Sequence, residues 1–467
     1  MMDPGLDKPT LLICHDIVGD SMAGPGIRYY QLARVLAKHV DTVLAVPEGS
    51  DTRQIAREVP CIHYRADNWE TLRPHVERAK TCIFASEVAG WFPQLAQSDA
   101  YLVVDGYDPL LAEWLALYGD KNQDRPADWR DRLAKLHRQY EIGDLFLCAS
   151  ERQRDWWLGL LESNGRINPA TYGADHSLRN LVDVVAYGLP GESPIHDHSV
   201  VKGIWDGIGA GDKVILWGGG LWSWLDPVTA IQAVALVYQE RPDVRLVFPG
   251  TRHPNANVAT LPSKLQDARS AAAETGLMDK AIFFGEWLPY ADWQNLLLES
   301  DLALTLHFDT LETRLAYRSR LLEYIWSRLP IIATEGDTAA DIVARNSLGT
   351  VVHYEDVEGV ASAILELLDK GVPATNFDVC IQEMSWQRVA EPLIAFCRSP
   401  WRAADKDSEA YNPSLWAQLE QERSHWEGLV QAYESGRAMR AMKWFDRQKR
   451  RLFAPSDAAS VQDENRS

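Results

Sequence analysis

The chain lacks several features that would settle its class at once. Its six cysteines, Cys14, Cys61, Cys82, Cys148, Cys380 and Cys397, form no CxxC pair. That excludes the common zinc and dithiol patterns and is the usage expected of reduced core thiols in a cytosolic protein. No apolar run approaches the ~18 residues of a membrane-spanning helix. The opening residues, MMDPGLDKPT, hold no basic region followed by an apolar one, so no signal peptide is expected. Positive charge is short: 47 Lys and Arg against 66 Asp and Glu, a net of −19. So acidic a surface argues against general nucleic-acid binding, since phosphate backbones need basic faces. Neither half holds GxGxxG with an acid about 20 residues on, which disfavours a nicotinamide dehydrogenase. His196-Asp197-His198 has no further ligand in sight, so no metal site is expected. Internal repeats of 20 to 50 residues are also missing.

What is present is a soluble globular composition, 46% apolar and 24% charged, over 467 residues. That length favours two or three domains. Short apolar runs alternate with amphipathic stretches, the pattern of parallel sheets with crossover helices. In the first half the expected strands are TLLIC, DTVLAV, TCIFAS, AYLVVD and DLFLCAS. The helix from Ile27 should turn Leu32, Val35 and Leu36 to the sheet. After a Pro/Gly/His-rich stretch the pattern restarts with KVILWG, VRLVFPG, AIFFG, LALTL, PIIAT and GTVV. The reading is α/β: two Rossmann-like doubly wound domains facing across a cleft, plus a C-terminal helical tail. The expected bounds are 1–200, 201–400 and 401–467. SWQRVAEPLIAFCRSP should close the second unit, and the last segment should be a polar linker and tail.

Positive charge gathers in LETRLAYRSRLLEYIWSRLP, residues 311–330. A helix is expected from about Ala316 to Arg328, ending before Pro330. Arg318 and Arg320 then fall in its first turn, the wrong end for the helix dipole. A bound anion there removes the conflict, since guanidinium forks and free N–H groups both suit phosphate. Glu323, one turn deeper, is placed to accept hydrogen bonds from a ribose diol. The plainer reading is a surface ladder of Glu312, Arg314, Arg320 and Glu323.

Taken together, several pieces resemble bacterial glycosyltransferase family 4, which has the GT-B fold. They are WGGGLWSWLDP (217–227), VRLVFPGTRHPN (244–255), FFGEW (283–287), the arginine segment, TEGD (334–337), GPGIRYYQLARVLA (24–37) and VDGYDP (104–109). The resemblance spans roughly residues 10–400. It implies transfer of a sugar from a nucleotide diphosphate sugar to a hydroxyl, with retention and without an essential metal or cofactor. It implies that the second domain holds the nucleotide. Glu323 matches the ribose-binding glutamate of the family and Arg320 the basic residue three before it. Two features depart. The partner glutamate eight residues before is here Leu315, leaving Glu312 as the substitute donor-sugar contact. The lysine after the first glycine-rich turn is missing, so Arg318, Arg320 or Arg252 must supply that charge. The only D-x-D pair, Asp405/Asp407, falls outside both sheets, unlike the pairs that hold the donor diphosphate in metal-dependent transferases of the other major fold.

Further candidates carry two readings each. Gly219 and Gly220 permit close approach to a ligand or only shape a turn. Gly24 and Gly26 open the first helix, as a phosphate-covering loop or an ordinary βα loop. Asp105 and Asp108 follow a strand and would orient the acceptor hydroxyl or take its proton, or would merely form a turn. Gly336 and Asp337 cap the next helix or touch the donor sugar. The stretch 437–451 holds seven basic residues and one acid. Over 437–453 it has the pattern of an interfacial helix on an anionic membrane, or of a helix packed on an acidic protein surface. The expected partners are therefore a nucleotide diphosphate sugar, a glycan or lipid-linked acceptor, and an anionic membrane surface. Bacterial cell-surface glycan assembly and a cytoplasmic place, peripheral on the inner membrane face, follow as expectations. The alternatives are an epimerase or hydrolase on the same fold, or a non-catalytic sugar-nucleotide-binding partner.

Overall fold

The computed structural model describes residues 8–119, 126–251, 263–408 and scattered positions from 410 to 445. Two all-parallel sheets form the frame. The first holds β1 (Thr10–Ile13), β2 (Thr42–Pro47), β3 (Cys61–Tyr64), β4 (Thr81–Ala85), β5 (Tyr101–Asp105), β6 (Leu145–Cys148) and β7 (Val182–Val184), in the order β3-β2-β1-β4-β5-β6-β7. The second holds β8 (Lys213–Trp217), β9 (Val244–Phe248), β10 (Ile282–Phe284), β11 (Leu302–Thr305), β12 (Ile331–Thr334) and β13 (Gly349–Val352), in the order β10-β9-β8-β11-β12-β13. Each order reverses beside the central strand, and at such switch points crevices open beyond the strand ends.

The central strands are buried on both faces, which is why they read as unbroken apolar runs. The helix Gly24–Leu36 buries Leu32, Val35 and Leu36 as its period requires. The helix Pro227–Glu240 starts where Asp226 accepts from the Thr229 N–H at 3.1 Å, with proline at its first turn. Five of the six cysteines are buried, and all are free thiols.

Three expectations needed correction. β3 and β7 were not anticipated; both are sheet edges, one half-exposed and one only three residues long. The segment expected to close the second unit instead returns to the first. The Leu189 N–H donates to the Met384 carbonyl at 2.7 Å and its own carbonyl accepts from the Trp386 N–H at 3.0 Å, and Phe396 meets the Tyr101 ring edge-on. The supposed polar linker is anchored too: Asp405 is fully buried in a bidentate pair with Arg166 at 2.6 and 3.1 Å. Lys406 and Arg402 both pair with buried Asp144, at 2.9 and 3.0 Å.

The domains meet through the loops at the carboxyl ends of their strands. Tyr107, after β5, donates to the Tyr317 carbonyl at 2.8 Å, and Gln153 bridges the Tyr107 and Leu315 carbonyls. On the other side the Tyr290 N–H donates to the Asp20 carbonyl at 2.7 Å. The connection itself is pinned: Glu299 accepts from the N–H groups of Val200, Val201 and Lys202, each at 2.8 Å, and His196 contacts the same carboxylate. No helix among the described residues is long and apolar enough to cross a membrane.

Candidate active site

The arginine segment folds differently from the single helix expected of it. Leu311–Leu315 forms a short helix capped by Thr310, Ala316 is extended, and a second helix runs Ser319–Trp326. Arg318 is therefore the N-cap residue, with no side-chain cap bond of its own. Arg320 lies in the first turn, and Leu321, Leu322 and Ile325 fill the core beneath.

This break sends the charges in different directions. Arg318 turns to Glu312 in a bidentate pair, 2.8 and 2.9 Å, with Glu312 only 2% exposed. Its Nε also stands 3.5 Å from Asp337. Arg314 is exposed, away from this group. Arg320 runs the other way, under the glycine turn, and donates to the Gly218 carbonyl. Gly219 there has φ +90°, and a Cβ would overlap the Arg320 guanidinium, so glycine is required at that position. Gly220 faces the Trp222 indole instead. Glu323 accepts from Trp293 Nε1 at 2.7 Å. Burial lifts its carboxyl to about 7, against the opposing pull of Arg320 and Trp293.

Two adjoining cavities between the domains share Ala23, Gly24, Ser319 and Arg320. The first, about 530 Å³, is bounded by Gly219, Pro249, Gly250, Trp287, Trp293 and Glu323. The second, about 970 Å³, is bounded by Asp108, Glu113, Trp222, Trp224, Glu312 and Arg318. Gly24 stands opposite Ser319 across the cleft. Gly26 lines neither cavity; it packs on the Ile17 carbonyl, where a side chain would clash.

The two aspartates after β5 part company. Asp105 is consumed by Arg28 through two hydrogen bonds, 2.8 and 2.9 Å, in a pair 1–2% exposed. Arg28 also donates to the Val185 and Ala186 carbonyls, so the catalytic role expected of Asp105 gives way to holding the end of the sheet. Asp108 borders the larger cavity, and burial raises it to about 7, with His15 opposing and Glu87 and Asp105 adding to the rise. Glu113, on the helix Leu110–Tyr118, is raised well above its usual value by burial and then by Asp108 and Glu312. Sequence reasoning missed Glu113, Ser319 and Trp293. Only the acid four residues after VDGYDP hinted at Glu113, since nothing local marks which helix face borders a cleft.

Asp337 accepts from the Ala340 N–H at 2.7 Å, capping Thr338–Asn346. Burial would raise it, yet His307, Arg318 and that N–H hold it below its usual value. Gly336 gives its carbonyl to Arg152 of the first domain and borders neither cavity. Arg252 lies outside the described residues, as does the basic stretch 437–453 apart from Trp444 and Phe445.

Residues 212–370, nearly the whole second domain, match the family described as glycosyl transferases group 1. The match covers that domain and not the first. Among solved structures, sucrose-phosphate synthase from Thermosynechococcus elongatus is similar over 84% of this chain and 98% of its own, at 16% identity and a TM-score of 0.55. HepE from Anabaena, in complex with UDP-glucose, is similar over 83% and 99%, at 13% identity and 0.55. A glycosyltransferase from Rickettsia africae ESF-5 is similar over 84% and 99%, at 14% identity and 0.54. At such identities the likeness is one of fold: the matched domain and its partner domain together have the GT-B architecture. No curated protein matches the chain.

Proposed function

We propose that the protein transfers a sugar from a nucleotide diphosphate sugar to a hydroxyl acceptor, with retention and without a metal. The observation that carries this reading is the placement of Arg320, Ser319 and Gly219 with Glu323 around one cavity between the domains. The nucleotide lies along that cavity with its ribose on Glu323. Its diphosphate reaches Arg320 and the exposed N–H groups of the helix Ser319–Trp326. As the sugar–phosphate bond breaks, charge grows on the departing oxygen, where a fixed guanidinium and helix terminus already point. Arg318 adds charge from the larger cavity, shared with Glu312. Arg252 remains a further candidate for the diphosphate, and Asp337 and Gly336 for the donor sugar.

The acceptor enters the larger cavity, where Asp108 orients its hydroxyl toward the face the leaving group departs from, as retention requires. Trp222 and Trp224, stacked 5.8 Å apart, offer that cavity an aromatic wall suited to a sugar ring. HepE, of the same fold, binds UDP-glucose. A thermal-shift screen of nucleotide diphosphate sugars tests the reading: one class should raise the Tm of the wild type and fail to do so for Arg320→Ala. No shift with any of them would refute it.

The basic stretch 437–453 carries the enzyme to an anionic membrane surface, where a lipid-linked glycan acceptor and a role in cell-surface polysaccharide synthesis would place it. Trp444 and Phe445 are 52% and 66% exposed, as an interfacial helix needs. Deleting residues 435–467 should abolish binding to anionic vesicles.

A further inference from the structure

Tyr187 has no place in the reaction described so far, yet it borders the nucleotide cavity. It stands three residues past β7, where the chain leaves the first domain. Its ring is clamped by Trp386 at 4.7 Å and by Tyr107 at 6.1 Å, and Arg28 holds the carbonyls of the two preceding residues. The residue is 2% exposed, and its hydroxyl has no protein partner among the described residues. A buried hydroxyl without a partner is costly, and a rigid one beside a cavity is a ready contact for a ligand. Tyr187 lines both the nucleotide cavity and a neighbouring space of about 630 Å³, and Glu323 lines both with it.

The chemistry of these two groups is complementary. An ionised Glu323 only accepts, so it accepts hydrogen bonds from the diol hydroxyls and leaves the diol oxygens with unused lone pairs. Burial, with Glu323 adding, keeps the Tyr187 phenol protonated at neutral pH, so it only needs an acceptor. We propose that Tyr187 donates a hydrogen bond to a ribose hydroxyl of the nucleotide, from the first domain, and so selects ribonucleotides over deoxyribonucleotides. The inference rests on the nucleotide reading above and extends it: the ribose is held from both domains, and nucleotide binding is tied to the connection between them.

The test is calorimetric titration of wild type and Tyr187→Phe with UDP, GDP, ADP and CDP, then with the 2′-deoxy and 3′-deoxy forms of the tightest binder. Losing one neutral hydrogen bond should weaken the ribonucleotide about five- to tenfold in the variant. The deoxy form lacking the contacted hydroxyl should bind both proteins alike, so the ribo-to-deoxy ratio collapses. Equal loss on all three nucleotides would mark Tyr187 as structural only, and unchanged ribonucleotide affinity would overturn the contact. If none of the four diphosphates binds the wild type, the nucleotide reading fails first. The Tm of Tyr187→Phe, within a few degrees of wild type, guards against a folding defect.

Discussion

Arg28–Asp105, buried in the first domain, and Arg320–Glu323, bordering a cavity in the second, are two arginine–carboxylate arrangements built to different ends. Arg28 meets both oxygens of Asp105 and two carbonyls, so every strong contact of the pair is made within the protein. Among the described residues Arg320 donates only to the Gly218 carbonyl, and Glu323 accepts only from an indole N–H. Both carboxylates are sheltered from water, but only Glu323 is left with capacity for a ligand. A fully satisfied buried ion pair holds a fold; an arginine and a carboxylate that do not pair, left part-satisfied beside a cavity, make a candidate site. The same contrast separates Asp105 from Asp108, three residues apart.

The sharpest break in this comparison should come from Arg28→Ala. It strands a buried Asp105 and should cost about 3–5 kcal/mol in urea unfolding. A loss under 1 kcal/mol would mean that the pair contributes little. Arg320→Ala should do the reverse, lowering turnover about 10²-fold with little change in Tm, the scale of one lost preorganised donor. Near-normal turnover would deny it the diphosphate.

Glu323→Gln probes the pH side. The folded carboxyl titrates near 7 and an unfolded one near 4.5. Below 4.5 both states are protonated and Glu323 costs nothing; from about 4.5 to about 7 the unfolded carboxyl ionises while the folded one does not, so stability falls over that window and levels off above it. The glutamine variant should therefore gain about 1–3 kcal/mol over wild type at pH 8 and nothing at pH 4. It should also lose the rise in sugar-nucleotide affinity between pH 6 and 8. A pH-independent difference would contradict the shift. The smallest effect belongs to Asp108→Asn, which should lower kcat at pH 8 about tenfold and remove an inflection near pH 7 from the rate profile. An unchanged profile would leave Asp108 a turn residue.

The period of apolar residues was enough for the inner strands of both sheets, because strands buried on two faces must be apolar throughout. It failed at the edges β3 and β7, where one side is exposed and the pattern dilutes. It also failed for residues 386–406, whose amphipathic helix says only that it needs a core, not which one. At the site, Arg320, Glu323 and Gly219 were legible because their spacing around a strand end and helix start is local. Asp105 and Asp108 look alike in VDGYDP, and the choice between them rests on Arg28, 77 residues away in the chain from Asp105.

By itself, then, the sequence determined two parallel α/β halves and a dense patch of arginine and acid after β11, since both follow from periodicity and short-range spacing. Tertiary structure alone decided which charges cancel and which stay available. Pairing energy depends on distances between residues far apart in the chain, and on how much water each pair has lost on folding.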